Sequence, residues 1–91
     1  MMTSARRPRW TAAQMDAYER AHALLNAVIA AYSRRISEAS SPAEAQSLRE
    51  ERAPLLAERD TLTADDTGRI AEIIRGMPSQ LAEVRAVVLG E

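Results

Sequence analysis

The 91-residue chain predicts an all-α protein, three long helices in one small bundle. Three observations carry this. Apolar residues recur at alternating spacings of three and four in three separate segments, and no segment shows the alternation of a strand. Each segment opens on a Ser or Thr followed three residues later by Gln, Glu or Asp. Neither Gly nor Pro occurs between Ala12 and Ala39.

The first helix is expected from Ala12 to about Ala39, with Thr11 as its cap and Gln14 completing a capping box. Its apolar stripe runs Met15, Tyr18, His22, Leu25, Ile29, Tyr32 and Ile36, with the chain's only histidine in the row. A helix of that span is about 40 Å long. "SSPAE" then ends one helix and starts another: Ser41 caps, Pro42 takes the first helical position and Glu44 completes a box. So short a link implies an antiparallel hairpin.

The second helix should run from Pro42 to about Leu62. Leu48, Leu55 and Leu62 recur every seven residues, with Ala45, Arg52 and Arg59 between them. The leucine phase continues across Pro54, which predicts one kinked helix rather than two. Thr63 with Asp66 reads as a third capping box. Ile70, Ile74, Met77, Leu81, Val84 and Val88 follow in helical phase, and Gly76 and Pro78 leave a continuous or a broken third helix equally open. Residues 1 to 10 lack periodicity and read as a basic arm; residues 11 to 91 form the helical domain.

Composition narrows the chemistry. Hydrophobic residues make up 46% and charged residues 27%, so the chain should fold, but aromatics are only 3% and alanine is abundant. Such a core is modest, and association, as a homodimer or with a protein partner, is the expected remedy. The net charge is −1 with a pI near 5.8, which implies no polyanionic or polycationic partner. All 12 Lys+Arg positions are arginines, which together with the alanine content suggests a high-GC bacterial genome. Without lysine no Schiff base forms; without cysteine no disulfide, thiolate nucleophile or thiolate zinc site forms. No run is apolar enough to span a bilayer, and the N-terminus does not read as a secretory signal, so a cytoplasmic location is expected.

Length, a long first helix carrying Arg34 and Arg35, and "LREER" at 48–52 resemble the small all-helical chorismate mutases. That resemblance implies a dimer that binds an anionic metabolite through arginines. The missing lysine and the short loop after the first helix depart from the pattern, and no catalytic residue is carried over.

His22 lacks the companions a metal or a nucleophilic dyad would need, so no metal and no cofactor is expected. It reads instead as a polar specificity element with Asn26 beside it. Arg52 and Arg59 fall in the leucine seam, either at its rim or reaching a partner. The expected partner-binding set is Tyr18, His22, Leu25, Ile29, Tyr32, Arg52 and Arg59. Arg6, Arg7, Arg9 and Trp10 form a candidate nucleic-acid arm, since guanidinium groups pair with phosphates and an indole stacks on bases. The leading expectation is a non-catalytic interaction module such as an antitoxin, immunity protein or regulatory accessory subunit. A small enzyme acting on an anionic metabolite and a DNA-binding regulator are the alternatives.

Overall fold

A computed structural model describes residues 10–88, with backbone alone for residues 87 and 88. It holds three helices: α1 (Ala12–Ser37), α2 (Pro42–Thr61) and α3 (Thr67–Val88). The predicted all-α bundle is the observed one.

The caps explain where the helices begin. At α1 the Thr11 hydroxyl accepts from the Gln14 N–H at 3.0 Å, and the Gln14 amide oxygen accepts from the Thr11 N–H at 2.8 Å. Two of the end's unpaired donors are thereby satisfied. At α2 the Ser41 hydroxyl accepts from the Glu44 N–H at 3.1 Å. Glu44 itself turns one residue further back than expected, accepting from the N–H and hydroxyl of Ser40 at 3.0 and 2.9 Å. These bonds hold its carboxyl below the usual carboxylate range.

Thr63 and Asp66 do not open a helix as expected. The Asp66 carboxylate accepts from the Thr63 N–H at 2.9 Å and closes a turn, and α3 starts only afterwards, with the Asp66 carbonyl accepting from the Ile70 N–H at 2.8 Å. The acidic side chain is spent on the turn, so the helix begins later.

Both internal prolines lie within continuous helices, Pro54 in α2 and Pro78 in α3. The question left open at Gly76 and Pro78 resolves as one unbroken helix. Pro78 is exposed and has no N–H to give the carbonyl of Ile74 one turn back.

α1 is the central element. Arg52 of α2 reaches Ser33 and Arg59 reaches Asn26, so α2 runs antiparallel to α1. Ala13 and Ala17 share a groove with Ile70 and Ile74, and Tyr32 and Arg35 share a pocket with Gln80 and Val84, so α3 runs parallel to α1. α2 and α3 each pack along α1 but not along each other. Leu25, Val28 and Ile73 are fully buried at the centre, and Ala21, Ile29, Tyr32, Leu48, Leu55, Leu62, Ile70, Met77 and Val84 join them in the core. The helix pitch that puts Leu48, Leu55 and Leu62 on one face sends all three toward α1. At the junction of α2 and α3, Glu58 receives both Nη2 of Arg69, at 2.6 Å, and its Nε.

Candidate functional site

The α1 stripe divides between core and surface. Leu25 is 0% exposed, and Ile29 and Tyr32 are 7% exposed. They are packed inside this chain, so they form no part of an accessible docking face. This corrects the expectation that groups them with partner-binding residues, and the reason is geometric: α2 and α3 occupy both sides of that stripe.

Tyr18 and His22 are half-buried, with ring centroids 5.6 Å apart and planes tilted by 40°. His22 lies beside Asn26, as expected, with Nδ1 3.3 Å from the Asn26 amide nitrogen. The Asn26 oxygen accepts from Nη1 of Arg59 at 3.2 Å, and Arg59 Nε donates to Asp60 at 3.3 Å. A polar chain thus runs from the aromatic pair on α1 across to α2. Further along, Arg52 Nη1 donates to the Ser33 hydroxyl at 2.9 Å, and that hydroxyl donates to the Ile29 carbonyl at 2.9 Å. The Nε of Arg52 is buried without an acceptor among the described residues. Both seam arginines therefore clamp α2 to α1 within the chain. Their stems cover apolar surface, and their heads fix the register of the hairpin.

Trp10 donates its indole N–H to Asp65 at 2.6 Å, joining the start of α1 to the α2–α3 turn. Of the candidate nucleic-acid residues it is the one within the described range; Arg6, Arg7 and Arg9 lie outside the described residues. The bond fixes the edge of the indole at the corner of the bundle, and Trp10 stays half-exposed.

Two concavities flank the α1–α3 pair. One, about 470 Å³, is lined by Tyr32, Arg35, Gly76, Ser79, Gln80, Glu83 and Val84. Burial pushes the Tyr32 phenol above its ordinary pKa; the bond to Gln80 pulls the other way, and Glu51 adds to the rise. Arg35 shares this pocket with Glu83, whose charge opposes an anionic guest. Arg34 is paired with Glu38 at 3.5 Å, and Arg52 points to Ser33.

The other concavity, about 260 Å³, lies near the start of α1 and α3. It is lined by Ala13, Gln14, Ala17, Ala64, Thr67, Ile70, Ala71 and Ile74 and is almost wholly apolar. It opens a longer face. On α1, Ala17, Leu24 and Ala31 are half-buried and seven residues apart; on α3, Ile74 and Leu81 repeat the same spacing. Ala17 and Ile74 share the groove, and each of the five is packed against the core on one side and open on the other. The sequence shows Ile74 and Leu81 in the α3 stripe, but the alanine-rich α1 row is hidden there because Ala17 and Ala31 resemble ordinary helix filler.

Among the described residues no group of three His, Asp or Glu side chains gathers to hold a metal ion, and no helix is long and apolar enough to cross a membrane. Comparison with known families, with curated proteins and with solved structures finds no match.

Proposed function

We propose that this chain is a non-catalytic helical interaction module, of the kind that serves as an antitoxin, immunity protein or regulatory subunit. The observation that carries the reading is the apolar α1–α3 face. Ala17 and Ile74 line one apolar groove, and Leu24, Ala31 and Leu81 continue their seven-residue spacing as half-exposed positions packed against the core. Small residues at Ala13, Ala17 and Ala71 let another backbone approach closely, while the larger side chains supply contact area. The docking face is therefore set on the outer side of α1 and α3. Tyr18 and His22 lie on the α2 side as elements that lock the hairpin.

The test is affinity capture with the wild-type chain and with Ala71→Glu, an exposed position within the face. The wild type should retain one stoichiometric protein, its own copy or another, and the variant should release it while keeping its helicity. Turnover of chorismate by purified protein would overturn the reading in favour of an enzyme. A salt-sensitive DNA shift lost on deletion of residues 1 to 10 would overturn it in favour of a DNA-binding regulator.

A further inference from the structure

We infer that the cavity at Tyr32, between α1 and α3, binds a small zwitterion, an α-amino acid or a dipeptide, with its carboxylate on Arg35 and its ammonium on Glu83. The site is separate from the apolar groove at Ala17, Ala71 and Ile74, and the inference does not depend on what docks there.

The charges set the chemistry. Arg35 of α1 and Glu83 of α3 line the same concavity of about 470 Å³. They carry opposite signs, yet neither forms an ion pair or a hydrogen bond among the described residues. Glu44, a carboxylate close enough to feel the Arg35 charge, is bonded to Ser40 instead. A guest of one sign is repelled by one of these two groups, whereas a guest carrying both signs is attracted by each. The guanidinium fork matches the two oxygens of a carboxylate, and the Glu83 carboxylate accepts from an ammonium.

The walls are already in place. Every residue that lines the cavity belongs to α1 or α3, so no loop has to be ordered when a guest enters. Tyr32 is 7% exposed and held by packing, and its phenol interacts with Gln80 of α3 and Glu51 of α2. One side chain from each helix thus fixes the polar part of the site. Ser79 and Gln80 add neutral donors and acceptors, and buried Val84 adds an apolar edge.

The space is sufficient. The volume falls within the range of about 300–1,000 Å³ usual for small-ligand sites. Gly76 keeps one wall open: it has no side chain, and a Cβ there meets nothing within 4 Å.

Heteronuclear NMR of the labelled chain, titrated with the standard free α-amino acids and with alanyl-alanine up to about 10 mM, tests the inference. At least one probe should give saturable shifts at Tyr32, Gln80 and Val84, with Kd below that ceiling. Arg35→Gln and Glu83→Gln should each weaken that probe by about tenfold, the loss of one charge-assisted contact. N-acetylation of the probe should weaken it on the wild type and leave it indifferent to Glu83→Gln. Amidation of its carboxylate should do the same for Arg35→Gln. Gly76→Leu, which fills the cavity and touches neither charge, should block binding with helix content retained. Tighter binding of alanyl-alanine than of any free amino acid would identify the guest as a dipeptide, and the reverse order as an amino acid. No saturable shift at these residues with any probe would overturn the site. Binding that survives both charge variants unchanged would overturn the zwitterion as its ligand. Either failure leaves capture of a protein through the Ala71 face unaffected.

Discussion

Replacing Gly76 by alanine should stabilise the protein. Gly76 lies inside α3, is exposed, and has an ordinary right-handed backbone. A Cβ built there meets nothing within 4 Å. The substitution therefore adds no clash and removes only the entropic cost of ordering glycine in a helix interior, about 1 kcal/mol. In a domain of this size a gain of that order raises Tm by about 4–8 °C. Thermal and urea unfolding followed by far-UV circular dichroism, at one fixed protein concentration, would measure it, and the urea slope should stay the same. Gly68→Ala is the internal control: its site is equally open, but it lies in the first turn, where less ordering is at stake, so the gain should be smaller. An unchanged or lower Tm for Gly76→Ala would refute the reasoning, and would show that the continuous helix through Gly76 and Pro78 depends on glycine at that point.

Three further outcomes follow from the packing. Leu25→Ala opens a cavity at a fully buried site between α1 and its two neighbours and should cost about 2–5 kcal/mol, read from the urea midpoint. Asn26→Ala removes the bridge between His22 and Arg59; urea denaturation should show a loss near 1 kcal/mol, with the three-helix content of the far-UV spectrum retained. Glu58 has its folded pKa lowered by the Arg69 bonds, so its contribution is present above the unfolded carboxylate pKa and is lost as pH falls through the folded value. Arg69 is 45% exposed, so the contribution should be under about 1 kcal/mol. Glu58→Gln should therefore lie closer to wild type in acid than at neutral pH.

Local signals were the legible part of this chain. The Thr11–Gln14 box, the Ser41 cap and the seven-residue leucine repeat depend on a few neighbouring residues and predict α1 and α2 to within a couple of positions. The end of α1 comes at Ser37, not Ala39, and α3 starts at Thr67 because Asp66 closes a turn with Thr63 instead of capping directly. The second offset arises at a side chain, Asp66, that bonds the backbone of the preceding turn. Which residues of the stripe are inside the chain was harder to read for a different reason. A three-and-four stripe reports that a face is buried, but not against what. Leu25, Ile29 and Tyr32 satisfy the pattern equally well against α2 and α3 or against another molecule, and only the three-dimensional arrangement assigns them to the core. Arg52 and Arg59 pose the same ambiguity, since a guanidinium reaching from a seam finds its acceptor on α1 or on a partner with the same spacing.

Because α2 and α3 pack along α1 and meet each other through the Glu58–Arg69 pair near their shared turn rather than along their lengths, the three helices should not be equally durable in time. Either outer helix can lift away while the other stays docked, but α1 amides become accessible only after both have left. In deuterated solvent, the backbone of α1 around Leu25 and Val28 should therefore exchange last and report the global opening free energy. α2 and α3 should each show their own faster, partial release, two separate thresholds in a chain of three helices.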